Sequence, residues 1–123
     1  MTRKILFVLF ADDECRQSHA LWYTLDLHRQ GHEVRLLLEG AGAQLVQQLE
    51  VPGSGRGDLL RKVQSAGLLV GACHAASIGC GQPGLDSPAV RTATAYGIPL
   101  REDMDGHAGL STFVQQGYEL VVI

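Results

Sequence analysis

The sequence has few of the features that mark a membrane, secreted or nucleic-acid-binding protein. No apolar run approaches the roughly 20 residues that a membrane span needs. The opening MTRKILFVLF leads into ADDEC without a small-residue cleavage site, so we expect no secretory signal. Basic residues are not in excess, since 10 Lys and Arg stand against 13 Asp and Glu, and they form no cluster. We therefore expect no membrane span, no direct contact with nucleic acid, and a cytoplasmic protein.

Cysteine is also scarce. Three cysteines, an odd number, in a chain without a predicted secretory signal indicate reduced thiols rather than a disulfide framework. A chain of 123 residues can bury one core without disulfides or a metal. We find no repeat, low-complexity segment or linker, so the sequence predicts one domain over 1–123.

Short apolar runs alternate with amphipathic segments. The runs 5–10 and 68–73 are unbroken and predict strands buried on both faces, and the amphipathic segments predict helices. The predicted strands are 5–10, 34–38, 68–73, 98–100 and 118–123. The fourth is the weakest, because Pro99 cannot donate to a strand ladder. This alternation predicts a single α/β domain, a three-layer α/β/α sandwich around a five-stranded, mainly parallel sheet of flavodoxin-like type.

Capping residues predict where several helices begin. Acidic residues 12–14 introduce the first helix, where they complement the helix dipole. Asp58 is predicted to cap a helix that follows the loop PGSGRG. That loop lacks the lysine of a phosphate-binding loop, so we interpret it as a flexible connection. Asp105-Gly106 is predicted to start the last helix.

Functional sites of parallel sheets lie at the carboxyl ends of the strands. The topology should bring Cys15, Glu39, Cys73, His74 and the segment 101–107 to this edge. We expect backbone amides after Cys73 to point at its sulfur and lower the pKa of the thiol, which favours the reactive thiolate.

The residues also resemble a known family. The strand KILFVLF, the segment GHEVRLLLEGAG, the stretch AGLLVGACHAASIGCG and the ending DMDGHAGLSTFVQQGYELVVI are similar to the DsrE/DsrF-like family of small sulfur-relay proteins, which includes TusD-type subunits. The similarity is closest to an uncharacterised branch with SGH or DGH before the last helix. The resemblance covers the whole chain and implies a homo-oligomer, as a dimer, trimer or hexamer.

The same resemblance implies roles for individual residues. Cys73 stands where the family carries sulfur as a persulfide, accepting it from a donor protein and passing it to a partner thiol without an organic cofactor. From the residues themselves rather than from the resemblance, we interpret His74, His107 and Cys15 as possible supporting residues, and Cys80 as a residue that could resolve the persulfide. The chain departs from the family's pattern at Ala76, where relatives often have a second cysteine.

Three other interpretations remain open from the residues alone. Cys73 can be a small buried hydrophobe at a strand end. Cys73, His74, Cys80 and His107 together could form a sulfur and nitrogen metal site, although no C-x-x-C pair supports it and we predict no metal. The protein could also be a non-catalytic module that binds a small ligand or metal at the same edge of the sheet.

Overall fold

The computed structural model describes residues 1–79 and 86–123. Its strands are β1 (Lys4–Leu9), β2 (Glu33–Leu38), β3 (Leu69–Cys73), β4 (Leu100–Arg101) and β5 (Glu119–Val122). Its α-helices are α1 (Glu14–Arg29), α2 (Gly55–Ser65), α3 (His74–Ser77), α4 (Pro88–Ala95) and α5 (Ser111–Gln115). A 3₁₀ helix spans Gly40–Glu50 between β2 and α2.

The five strands form one sheet in the order β4-β3-β2-β1-β5, and every pair is parallel. The predicted α/β sandwich with a parallel sheet is therefore confirmed. The chain moves in one direction from β1 to β4 and then returns to place β5 beside β1. Right-handed crossovers put the helices before β4 on one face and α5 on the other.

Side-chain contacts distinguish these two faces. Phe7 packs against Tyr23 of α1, with 6.4 Å between ring centres, so this side of β1 faces the long helices. Residues alternate between faces along a strand, so Lys4 and Val8 point to the opposite side. We call that side the Cys73 face, because Cys73 lies on it, and the other the helical face.

The helical face holds the larger part of the core. Its sheet residues Leu36 and Leu38 are fully buried, as are Leu21 of α1, Leu45 of the 3₁₀ helix and Leu60 of α2. Each such side chain contributes roughly 1.5–3 kcal/mol of transfer free energy relative to an exposed one. This face therefore supplies most of the apolar stabilisation of the fold.

The Cys73 face has a thinner cover. Its core member Phe113 comes from α5, which has only five residues, and the Arg101 guanidinium lies 5.1 Å from the centre of its ring. Leu120 and Val122 of β5 share this face and are exposed, Val122 at 63%. The sheet is thus well covered beside β3 and open along β5.

Several predicted boundaries were wrong. Helix α2 begins at Gly55 with Ser54 as its N-cap, so the loop predicted to be a flexible connection already forms a helix start. Ser54 Oγ accepts the Gly57 amide at 3.1 Å, which leaves Asp58 inside the first turn. By contrast, the acidic residues 12–14 stand at the start of α1 as predicted, and Asp13 is its N-cap, accepting the Arg16 amide at 3.0 Å.

The region before α5 also differs from its prediction. Helix α5 begins at Ser111, not at Asp105. Asp105 has φ +49° and Gly106 has φ +88°, and these left-handed residues close a turn in which Met104 pairs with His107. No helix of the described residues is long and apolar enough to cross a membrane.

Candidate functional site around Cys73

Cys73 is the last residue of β3 and lies between two parallel neighbours. The register pairs Leu38 of β2 with Ala72, and Arg101 of β4 with Cys73. Gly71 permits the close approach of β4, because it has φ +142° and a Cβ there would lie 2.5 Å from the Pro99 carbonyl oxygen. The Ala72 amide donates to that same oxygen at 2.9 Å. Cys73 is therefore held on a rigid strand at the carboxyl edge of the sheet.

The thiol itself is enclosed, since Cys73 has 0% exposed surface. The Ala108 amide donates to its sulfur at 3.3 Å, and the Nδ1 atom of His107 lies 3.9 Å away. Both groups come from the connection between β4 and α5. The sulfur is thus covered by a segment that is more than 30 residues distant in sequence.

The prediction of a lowered thiol pKa was wrong. Burial raises the pKa of the Cys73 thiol. Glu39 raises it further, both through a hydrogen bond with the thiol and through its charge. The amides of Ala76 and Ala108 act in the opposite direction and lower the pKa, as expected of donors aimed at the sulfur, but burial dominates. Cys73 is therefore a protonated thiol at neutral pH in the closed structure.

The segment that covers Cys73, residues 102–108, is called the covering segment and is fixed by backbone hydrogen bonds. Met104 and His107 exchange amide and carbonyl contacts at 2.8 and 2.9 Å. The Ala75 amide of α3 donates to the Gly106 carbonyl at 2.9 Å, which ties the segment to the residues directly after Cys73. Movement of this turn would uncover the thiol.

An apolar pocket of about 320 Å³ lies at the same edge; Cys73 does not line it, but His107 and Ala108, which contact the sulfur, do. It contains one carboxylate, Glu39, and one imidazole, His107. Its lining residues are Val8, Phe10, Glu39, Met104, His107, Ala108 and Leu110. A small uncharged group could therefore lie against the side of the segment that covers Cys73.

The structure separates the residues predicted to support Cys73. Of these residues, His107 lies beside the Cys73 sulfur. His74 is not directed at the sulfur, because its Nδ1 atom lies 2.7 Å from a carboxylate oxygen of Glu102. Cys15 is exposed on α1, on the helical side of the sheet, where its sulfur lies 3.6 Å from Nδ1 of His19. Cys80 lies outside the described residues.

A metal site receives no support from the described geometry. Within residues 1–79 and 86–123, no group of three or more His, Cys, Asp and Glu side chains is placed to hold a metal ion. The pairing of His74 with Glu102 also directs one proposed ligand away from the sulfur.

Sequence reasoning missed two contributors to this site. Glu39 follows β2 by one residue and was placed at the edge, but its influence on the thiol was not anticipated. The register of β2 with β3 puts Glu39 beside Cys73, so strand pairing is the signal that would have found it. The Ala108 amide carries no sequence signal, because any residue except proline supplies one.

Comparison with protein-family models, with curated proteins and with solved structures found no match for this chain.

Proposed function

We propose that this protein is a sulfur carrier of the DsrE/DsrF-like kind, which accepts sulfane sulfur on Cys73 and passes it to a partner thiol. The observation that carries the proposal is the placement of Cys73 at the end of β3, with a backbone amide on its sulfur, beside a small apolar pocket. Backbone donors stabilise a sulfur anion, and an apolar pocket excludes water that would hydrolyse or oxidise a persulfide. The sequence resemblance supports the same assignment.

The transfer step follows the chemistry of thiol exchange. The Cys73 sulfur attacks the outer sulfur of a donor persulfide, the donor's sulfur–sulfur bond breaks, and the donor leaves as a thiol. Cys73 then carries the persulfide, and attack by a partner thiol on its outer sulfur regenerates Cys73. The number of sulfur–sulfur bonds is unchanged in each exchange, so no external oxidant or reductant is needed.

Access to Cys73 requires the covering segment to move. Because the thiol is enclosed by Ala108 and His107, we propose that a donor or acceptor displaces residues 102–108 to reach it. His107 is the supporting residue nearest the sulfur and the only predicted partner that contacts it among the described residues. A resolving role for Cys80 remains a prediction, and Cys15 lies on the other side of the sheet.

The proposal includes a homo-oligomer. Strand β5 exposes three apolar side chains, Leu120 and Val122 on the Cys73 face and Val121 on the helical face, and among the described residues it has a neighbouring strand on one side only. An apolar strand edge of this kind is usually covered in the functional assembly. We also propose a cytoplasmic location, where a persulfide-carrying thiol would be kept reduced. Light scattering on the purified protein would show a mass above that of one chain, and a monomer would overturn this part.

A second function is favoured by one observation. The enclosed, protonated state of Cys73 is what a module that only binds a small ligand would show, since such a module needs no nucleophile. The pocket bounded by Glu39 and His107 would then be the binding site. Reactivity of the thiol separates the two functions.

The decisive experiment is peptide mass spectrometry after treatment of the reduced protein with polysulfide or with a cysteine desulfurase and cysteine. We expect one added sulfur atom on Cys73 and none in the Cys73→Ser variant. Cys15→Ser is the matched control, because it removes an exposed thiol on the other side of the sheet and should load normally. Absence of sulfur on Cys73 in the wild type would overturn the carrier assignment and favour the binding module.

A further inference from the structure

The Cys73 site contains a carboxylate whose position has a chemical consequence. Glu39 directly follows Leu38, which pairs with Ala72, so Glu39 stands beside Cys73 on the neighbouring strand and on the same face. It also lines the apolar pocket together with His107. One of its oxygens, Oε1, accepts the Gly40 amide at 2.9 Å, which fixes the carboxylate at the end of β2.

We propose that Glu39 is the proton acceptor and donor for sulfur transfer at Cys73, and that the site consequently takes uncharged persulfides rather than anionic ones. This inference rests on the proposed function. An enclosed thiol must lose its proton as it attacks, and the neighbouring carboxylate is positioned to receive it. A carboxylate in an apolar pocket also repels an anionic sulfur donor.

The exchange balances with Glu39 as the proton carrier. The Cys73 proton passes to the Glu39 carboxylate while the Cys73 sulfur bonds to the outer sulfur of the donor, R–S–SH. The donor's sulfur–sulfur bond breaks, and the leaving thiolate takes the proton from Glu39 to become R–SH. Cys73 ends as the persulfide, and Glu39 ends as the carboxylate with which it began.

Few other charged groups face this thiol among the described residues. From β4, Arg101 pairs with Cys73 in register, but its guanidinium lies over the Phe113 ring. From the covering segment, His107 lies 3.9 Å from the sulfur. From α3, His74 is engaged with Glu102. Glu39 is therefore the carboxylate that acts on the thiol, and its charge contributes to the raised pKa of Cys73.

The test compares Glu39→Gln with the wild type in two measurements. Glutamine keeps an oxygen to accept the Gly40 amide but cannot take a proton. Mass spectrometry measures the rate of sulfur transfer from an uncharged alkyl perthiol to Cys73. In Glu39→Gln this rate should fall by about a hundredfold or more, the usual contribution of an acid-base group. Alkylation of Cys73 should nevertheless reach its half-maximal rate at a lower pH, because removal of the carboxylate lowers the pKa of the thiol.

These opposite changes separate proton transfer from a merely structural role. A variant that merely loosened the packing around Cys73 would expose the thiol and speed both sulfur transfer and alkylation, whereas loss of the proton acceptor slows transfer alone. Asp12→Asn is the matched control, since it removes an exposed carboxylate that follows β1 at the same edge of the sheet but lies outside the covering segment, and it should leave both measurements unchanged. Glu39→Asp, which keeps a carboxylate with a shorter reach, should recover part of the transfer rate and serves as the informative variant if glutamine disturbs folding.

The outcomes distinguish this inference from the function on which it rests. A wild type that takes no sulfur on Cys73 overturns the carrier function and the role of Glu39 with it. A wild type that loads normally, with Glu39→Gln loading at the same rate, overturns the role of Glu39 alone. Equal loading from an anionic and an uncharged persulfide would overturn the selectivity.

Discussion

Cys15 and Cys73 each have a histidine next to the sulfur, but one thiol is exposed and the other is buried. Each sulfur lies within 4 Å of a histidine Nδ1 atom, at 3.6 Å for Cys15 with His19 and at 3.9 Å for Cys73 with His107. Cys15 is exposed near the start of α1, and its histidine is four residues along the same helix. Cys73 is enclosed, and its histidine comes from a distant segment.

The comparison shows that a nearby imidazole does not by itself define a reactive thiol. The Cys15 pair results from helical spacing, which places residues i and i+4 on one side of any helix. His19 Nδ1 lies only 2.7 Å from the Cys15 carbonyl oxygen, so its main contact is with the backbone. The Cys73 pair requires the tertiary fold, and it comes with a pocket and a neighbouring carboxylate.

The largest difference should appear in the rate of alkylation of the native protein. We expect iodoacetamide to modify Cys15 roughly a hundredfold faster than Cys73, because a local opening that costs about 3 kcal/mol reduces access by that factor. Peptide mass spectrometry over a time course resolves the two sites. The same experiment in denaturant should abolish the difference, and equal rates in the native protein would show that the covering segment is already open.

A smaller effect is expected when the cover of Cys73 is weakened. His107→Ala removes the imidazole beside the sulfur while it leaves the Ala108 amide in place. We expect the rate of alkylation of Cys73 to increase about tenfold, which corresponds to a decrease of about 1.4 kcal/mol in the free energy of the local opening. His19→Ala is the matched control at the other cysteine. An unchanged Cys73 rate in His107→Ala would mean that the imidazole does not restrict access.

The smallest effect should be on stability. Cys73→Ser places a hydroxyl in an enclosed position and should lower the free energy of unfolding by about 1–2 kcal/mol, while the fold remains intact. Cys15→Ser, on an exposed helix position, should change it by less than about 0.5 kcal/mol. Urea unfolding of both variants measures the difference. Equal values would contradict the different burial of the two residues.

The strands could be predicted because their cause is local. The apolar runs 5–10 and 68–73, which cover most of β1 and β3, are unbroken, which is typical of strands covered on both faces, and their order with intervening helices predicts a parallel sheet. The placement of Cys73 at the carboxyl edge of the sheet could be predicted from the same strand order. The bounds of β4 could not: the strand predicted over 98–100 is observed at Leu100–Arg101, because its position depends on which carbonyl meets β3, and the Pro99 carbonyl does so.

The state of the thiol could not be predicted for a related reason. The rule that amides near a strand-end cysteine lower its pKa considers only residues 74–77. Burial by Ala108 and His107 has the opposite effect, and it depends on a turn at Asp105 and Gly106 that was predicted to be helix. The Asp-Gly pair does signal a turn, and interpreting it as a helix start overlooked that signal, but no residue of the segment indicates that the turn folds back onto α3.

The position of β1 has a consequence for synthesis. Strand β1 lies between β2 and β5, and Ile5 pairs with Glu119 across almost the whole chain. On the ribosome, β1 therefore emerges long before one of its two neighbours exists, and it presents an apolar edge until β5 has been translated. Such exposed edges attract other nascent chains and chaperones. Folding of this sheet can be completed only after nearly all of the described sequence has left the ribosome, so a pause or truncation before residue 119 would leave an aggregation-prone product.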